Sequence, residues 1–131
     1  MEGCAKGNPV VWFEIHVRDL AKAKAFYEAM LDTTLEPLAD PTAEGTLAMF
    51  AFPADPQGFG AGGALVHAPD AQPSAGGLMV YFGSDDCAAP LARALAAGGR
   101  EVSGKESIGP YGFCAVVADP DGNHVGLHSM A

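Results

Sequence analysis

The feature that most constrains the fold of this chain is an internal repeat in its hydropathy pattern and glycine placement. Each half of the chain predicts a strand, a helix and three further strands, and a shift of 67 positions superimposes residues 45–52 on residues 112–119. After the next turn the shift is 62 positions, which superimposes Leu65 on Leu127. The repeat therefore predicts two copies of a βαβββ module.

The two modules lie at about residues 10–67 and 77–129, within one domain that spans residues 1–131. Between them, residues 68–76 (APDAQPSAG) have the composition of a linker. The predicted strands are residues 11–18, 34–38, 45–52, 62–67, 78–83, 100–103, 111–118 and 124–129; the predicted helices follow Asp19 and Asp85–Asp86 and end near Leu31 and Ala97. Residues 105–113 (KESIGPYGF) are predicted to form a mobile loop.

Charge and composition exclude several classes of partner. The chain has 16 acidic and 7 basic residues, and its formal net charge of -9 opposes a phosphate backbone, so we expect no nucleic-acid partner. Because no apolar run approaches the roughly 20 residues of a membrane span, we also expect no membrane partner. Three cysteines, Cys4, Cys87 and Cys114, show no CxxC spacing and follow no secretory signal, which predicts a reduced, cytoplasmic protein.

The first predicted strand (VWFEIHVR) has two unlike faces. Side chains alternate across a strand, so Phe13, Ile15 and Val17 form an apolar side that is suited to a core. The other side carries Trp12, Glu14 and His16, which are an aromatic, a carboxylate and an imidazole. That second face is typical of the wall of a binding site.

Two motifs indicate a family. The sequence RDLxxAxxFY begins at Arg18 and DPDGNxxxL begins at Asp119, and with the two βαβββ modules they resemble the vicinal oxygen chelate superfamily over about residues 10–128. That superfamily includes glyoxalase I, bleomycin-resistance proteins and extradiol dioxygenases. Within it, NPVVWFEI, GGALV, GGLMVYF, IGPYGF and VGLHSM are similar to a group of small, poorly characterised glyoxalase-like proteins. The resemblance implies an α+β fold in which eight strands form an open cup with the helices outside, and a homodimer.

The resemblance also implies where a metal would be bound. In the metal-dependent members, one ligand lies in the first strand and one in the last strand of each module. The motifs and the repeat place these positions at Trp12, Ala64, Met79 and Gly126. None of these side chains offers the imidazole, carboxylate or thiolate that such a cation needs. We therefore expect no metal and no other cofactor.

If the cup faces carry those four positions, alternation selects the side chains that point into the cup. Glu14, Tyr81 and His128 are the predicted catalytic residues, with Glu14 as the base and the other two holding or protonating the oxygen that develops charge. The predicted substrate-binding residues are Trp12, His16, Met79 and Tyr111. The opposite faces are uniformly apolar and are expected to pack under the helices: Phe13, Ile15, Val17, Leu78, Val80, Phe82, Val125 and Leu127.

Several alternatives stay open at this level. In the first, Glu14 and His128 pair only with each other; in the second, Glu14, His16 and His128 form a displaced metal site. A third alternative is that Trp12 and Met79 fill the core and do not hold a ligand. A fourth is that His124 faces solvent next to its turn.

Three functions are compatible with the cup. The first is a metal-independent lyase or isomerase that acts on a small organic molecule. The second is a binding protein of the bleomycin-resistance type that sequesters an antibiotic or a metabolite. The third is an interaction protein with a vestigial cup, since a fold does not decide a function.

Overall fold

The computed structural model describes residue 10 and residues 12–39, 48–55, 57–69, 73–74 and 78–131. Its strands are β1 (Trp12–His16), β2 (Glu36–Leu38), β3 (Ala48–Ala51), β4 (Gly62–His67), β5 (Val80–Gly83), β6 (Arg100–Ser107), β7 (Phe113–Ala118) and β8 (His124–Ser129). Its helices are α1 (Leu20–Leu31) and α2 (Ala88–Ala96), and a 3-10 turn spans Gly109–Tyr111. Within the ranges just given, no helix is both long enough and apolar enough to span a membrane.

Each module forms one four-stranded sheet in which the first strand lies beside the last. The strand order is β1-β4-β3-β2 in module one and β5-β8-β7-β6 in module two. β1 pairs with β4 and β5 pairs with β8 in parallel, while the other neighbours run antiparallel. The helix that follows each first strand carries the chain back over its sheet, which parallel pairing requires. The predicted α+β fold of two βαβββ modules is confirmed.

Several boundaries differ from the predicted ones. The strand expected at 100–103 continues to Ser107, so Lys105 belongs to a strand and not to a mobile loop. β6 reaches this length through two irregularities in its pairing with β7. Strand β3 begins at Ala48, and residues 45–47 of its predicted range lie outside the described residues.

The turn after β6 depends on Gly112. This glycine has a φ of 103°, which other residues rarely adopt, and a Cβ at its position would collide with the backbone carbonyl oxygen of Ser129. The close approach lets the chain leave the 3-10 turn and enter β7 beside the end of β8. The predicted strand at 111–118 therefore begins only at Phe113.

Helix α1 begins where the sequence predicts. The carboxylate of Asp19 accepts a hydrogen bond from the backbone N–H of Lys22 at 3.1 Å, so Asp19 is the N-cap. One face of the helix is buried under the first sheet: Ala23, Phe26, Tyr27 and Met30.

Helix α2 packs against α1. The N-cap is Cys87, and Asp86, one of the two predicted caps, accepts a hydrogen bond from the backbone N–H of Ala88 at 3.0 Å. The side chain of Arg93 donates to the carbonyl of Met30 at 2.8 Å, which satisfies an acceptor in the last turn of α1. The two modules are joined by this contact between helices as well as by their shared core.

The core lies between the helices and the inner faces of both sheets. Ile15, Val17, Val125 and Leu127 are buried there as alternation predicts, and residues of both modules belong to one cluster. The aromatic rings of Phe13, Phe52, Phe82 and Tyr27 meet at centroid distances of 5.4 to 6.1 Å. Leu78 is an exception: it precedes β5 and is 89% exposed, so its predicted place in the core is wrong.

A buried polar network fixes the turn before β8 against α1. Asp119 is 4% exposed, and its carboxylate accepts hydrogen bonds from the Tyr27 hydroxyl at 2.7 Å and from the side-chain amide of Asn123 at 2.9 Å. The backbone N–H groups of Asp121 and Asn123 also donate to it at 2.9 Å. Burial and the neighbouring Asp119 carboxylate raise the pKa of Tyr27 well above its usual value.

We expect the Tyr27→Phe variant to be less stable by about 1–3 kcal/mol at neutral pH, because the buried Asp119 carboxylate loses one donor. The folded state favours the neutral phenol, so this contribution is fully present below the ordinary tyrosine pKa of about 10 and is lost as the pH rises above it. Urea unfolding of both proteins from about pH 7 to about pH 11 measures the difference. If the free energies of unfolding of the two proteins changed with pH in parallel over that range, this role of Tyr27 would be contradicted.

Candidate functional site

A cavity of about 490 Å³ opens beside β1. Three parts of the chain form its wall: β1, the segment leading into β5, and the start of β8. The lining residues are Val10, Trp12, Phe13, Glu14, Ile15, His16, Ser74, Leu78, Met79, Val80, Asn123, His124 and Val125.

Large apolar side chains are left open to solvent in this concave wall. Trp12 is 45% exposed, Met79 is 39% exposed and Leu78 is 89% exposed. Leaving this much apolar surface in water is unfavourable for the free protein, and apolar surface gathered in a cavity is typical of a ligand site. Trp12 and Met79 therefore both lie in the exposed wall of this cavity, and the interpretation of either as core filling is wrong.

The polar part of the wall is small. Glu14 is exposed, and its carboxylate accepts a hydrogen bond from the indole Nε1 of Trp12 at 3.2 Å. No Lys or Arg side chain among the described residues lies within 4.0 Å of that carboxylate. Apart from the two histidines, Glu14 is the only ionisable residue among the described residues of the lining, and it is the source of negative charge there.

His16 lies at the far end of β1 and is half-buried. Its ring Nδ1 is buried and has no hydrogen-bond partner among the described residues. The other histidine of the wall is His124, which is half-buried in the cavity wall instead of facing solvent.

Three predicted site residues lie outside this wall: Tyr81, Tyr111 and His128. The ring Nε2 of His128 donates to the backbone carbonyl of Tyr111 at 2.7 Å, whereas the partner of Glu14 is Trp12. The hypothesis that Glu14 and His128 pair with each other is therefore wrong. The structure brings Trp12, Glu14, His16 and Met79 together in one cavity wall and leaves the other three residues outside it.

Aromatic rings cover two glycines on the outer faces of the sheets. Trp12 pairs with Gly62 across β1 and β4, and its ring lies against the place where a Cβ of Gly62 would be. Tyr81 pairs with Gly126 across β5 and β8, and a Cβ on Gly126 would collide with the Tyr81 ring. Gly126 is one of the four positions at which the family resemblance implies a metal ligand, and it is thus covered by the phenol ring of Tyr81.

The metal site that the resemblance implies does not fit this chain. Trp12, Ala64, Met79 and Gly126 offer no ligand atom of the required kind. Across the part of the chain that the structure describes, no three His, Cys, Asp or Glu side chains are grouped so as to hold a metal ion. Glu14, His16 and His128 therefore do not form the displaced metal site that was the alternative.

Two cavity residues, Ser74 and Asn123, were not predicted from the sequence as part of the site. Asn123 was visible only as the last residue of the DPDGN turn motif, and Ser74 only as part of a linker. The DPDGN motif was the signal that could have indicated Asn123, because a polar residue at the end of a tight turn commonly binds neighbouring backbone groups.

The comparisons with known proteins identify the family. The model of the Glyoxalase/Bleomycin resistance protein/Dioxygenase superfamily matches residues 10–127. Since this match spans most of the chain, the chain belongs to that superfamily, and the resemblance carried by the two motifs is confirmed. No curated protein matches the sequence.

Two similar solved structures come from Streptomyces sp. CB03234. A glyoxalase/bleomycin resistance protein is 30% identical with a TM-score of 0.59, over 91% of this chain and 98% of that chain. TnmS3, an antibiotic binding protein, is 29% identical with a TM-score of 0.62, over 96% of this chain and 98% of that chain. A glyoxalase I variant from Zea mays is 19% identical with a TM-score of 0.71, but this chain spans 46% of its length, so that likeness shows the fold alone.

We expect the purified protein to contain no stoichiometric zinc, nickel or iron, because the four implied ligand positions lack donor atoms. Elemental analysis together with native mass spectrometry measures this directly. As a control, added zinc should leave the melting temperature unchanged. One bound metal ion per chain would contradict the assignment of these positions.

Proposed function

We propose that this protein binds a small organic molecule with a flat, apolar body in the cavity beside β1, and that it sequesters this molecule rather than transforms it. The observation that carries the proposal is the exposed apolar wall of Trp12, Leu78 and Met79 around a cavity of about 490 Å³. A volume of this size is typical of sites for molecules of drug size.

Binding is favoured over catalysis by the composition of the cavity wall. A stacking site needs shape and apolar surface, which Trp12 and Met79 provide. The likeness to TnmS3, an antibiotic binding protein, supports the same class of function. An antibiotic or a metabolite with an aromatic ring system is the ligand that best suits these residues.

The carboxylate of Glu14 in the wall favours ligands with a positive charge or with hydrogen-bond donors. Glu14 has the Trp12 indole beside it and no basic side chain among the described residues within 4.0 Å. A cation bound over the indole therefore interacts both with the ring and with the carboxylate. The net charge of -9 also attracts cations towards the protein from a distance.

We expect planar acridine probes to bind in the order 9-aminoacridinium cation, neutral acridine, acridine-9-carboxylate anion. Isothermal titration calorimetry gives the three dissociation constants. Replacing Trp12 by Ala should weaken the binding of all three by about tenfold or more, because the stacking surface is lost. Glu14→Gln should weaken only the cation, by about fivefold, which corresponds to about 1 kcal/mol for an exposed charge pair.

Phe59→Ala is the matched control for this experiment. Phe59 is a fully exposed aromatic side chain that does not line the cavity, so its removal should leave the three dissociation constants unchanged. Trp12 is the only tryptophan of the chain, so its fluorescence offers a second measurement of binding in the unmodified protein. Absence of binding for all three probes would overturn the proposed function.

A metal-independent lyase or isomerase is the second candidate. Its support is the presence of Glu14 and His16 in one cavity, where Nδ1 of the histidine has no hydrogen-bond partner in the part of the chain that the structure describes. The role of Tyr81 and His128 in this reaction stays a prediction, and neither side chain lines the cavity. If the protein converts a co-purified molecule, Glu14→Gln should abolish conversion while binding remains.

We further propose that the protein is a homodimer in the cytoplasm. Cys87 and Cys114 are free thiols, which suits a reducing compartment. The second module leaves several large apolar side chains exposed, among them Tyr81 at 53% and Tyr111 at 73%, and a second copy of the chain would cover them.

Light scattering of the eluting protein should give twice the mass of one chain. Tyr81→Glu should shift the equilibrium towards the monomer, because a charge at the interface is costly to bury. Phe59→Glu is the control and should leave the dimer intact. A monomer at all accessible concentrations would contradict the homodimer.

A further inference from the structure

One side-chain amide joins the three chain segments that form the cavity wall. β1 contributes His16, the connection between the modules contributes Ser74, and the start of β8 contributes His124. Asn123 directly precedes β8, is 7% exposed and lies in the wall itself. We propose that Asn123 is the positioning residue of the ligand cavity; this inference rests on the proposed function.

The amide of Asn123 uses both its acceptor and its donor. Oδ1 accepts a hydrogen bond from the backbone N–H of Ser74 at 2.7 Å. Nδ2 donates to the backbone carbonyl of His16 at 2.9 Å and to the carboxylate of Asp119 at 2.9 Å. The first bond holds the connection between the modules, and the second holds the last residue of β1.

The chemistry of these partners requires an amide. The carbonyl of His16 only accepts, whereas the N–H of Ser74 only donates, so one short side chain must offer both functions. An aspartate at position 123 has the same shape and keeps an acceptor for Ser74. It has no donor for His16, and it places a second carboxylate against that of Asp119.

Asp119 fixes the orientation of the amide. Its carboxylate is itself held by the Tyr27 hydroxyl from α1 and by two backbone N–H groups of the turn. The Asn123 side chain is thus anchored to module two and to α1, and from there it binds β1 and the connection. The three parts of the wall are held in one arrangement before a ligand arrives, which lowers the cost of binding.

A ligand that contacts both β1 and β8 binds only to the joined arrangement. Ligand binding and the hydrogen bonds of Asn123 therefore strengthen each other, since coupling between two equilibria is reciprocal. The amide N–H of Ser74 reports on this directly, because it donates to the Asn123 side chain.

The first test measures the binding of neutral acridine to the Asn123→Asp variant of the full chain through the fluorescence of Trp12. The neutral probe is required because the substitution adds a negative charge that would attract a cation. We expect binding about tenfold weaker than in the unmodified protein. Gln57→Glu is the matched control: it makes the same change from amide to carboxylate at an exposed residue that does not line the cavity, so this variant should bind as the unmodified protein does.

The second test follows amide hydrogen exchange at Ser74 by nuclear magnetic resonance. Acridine should slow this exchange in the unmodified protein and should have no such effect in Asn123→Ala, a result that a merely structural role would not produce. If Asn123→Asp does not fold, Ser74→Pro removes the N–H donor, and it should weaken acridine binding in the same way.

The outcomes separate the inference from the function on which it rests. If the unmodified protein binds acridine and Asn123→Asp binds it equally well, Asn123 does not position the cavity and only this inference fails. It also fails if acridine leaves the exchange at Ser74 unchanged, or if Asn123→Asp does not fold and Ser74→Pro binds normally. If the unmodified protein binds none of the acridine probes, the proposed function itself is overturned.

Discussion

The buried carboxylate of Asp119 is the interaction on which the arrangement of the two modules depends. A carboxylate that is 4% exposed is tolerated only when its oxygens are fully hydrogen-bonded. Its donors come from helix α1, through Tyr27, and from its own turn, through Asp121 and Asn123. Helix, turn and the end of β1 therefore have to be in place together. The same network that docks module two on module one also holds the wall of the cavity.

Glycine placement decides what each sheet face carries. In the parallel ladders, Trp12 lies against Gly62 and Tyr81 against Gly126 on the outer faces, while Phe13 lies against Gly63 on the core face. The rings of Phe13 and Tyr81 occupy space that a Cβ on the paired glycine would fill, and the Trp12 ring lies at van der Waals distance from the place where a Cβ of Gly62 would be. Two of the four places where the resemblance implies a metal ligand, Trp12 and Gly126, are therefore aromatic surface on the outer faces.

The sequence predicted the fold and the faces of its strands correctly because both depend on local pattern. The repeat predicted the two sheets, and alternation placed Ile15, Leu127 and Val125 in the core. The same alternation predicted that Trp12, Glu14, His16 and Met79 share a surface, and all four line the cavity. It did not predict that Tyr81 and His128 lie outside that cavity. Alternation specifies the side of a sheet, but the position along it depends on how the two sheets dock.

The sequence by itself determined the module repeat, the core faces and the absence of ligand chemistry at the four implied metal positions, because each follows from residue type and spacing. The tertiary structure decided which outer-face residues meet. It separated Glu14 from His128, left Leu78 exposed at the mouth of the cavity, and placed Asn123 between three segments of its wall. These contacts join residues up to 107 positions apart, and only the docking of the two modules brings them within hydrogen-bond distance.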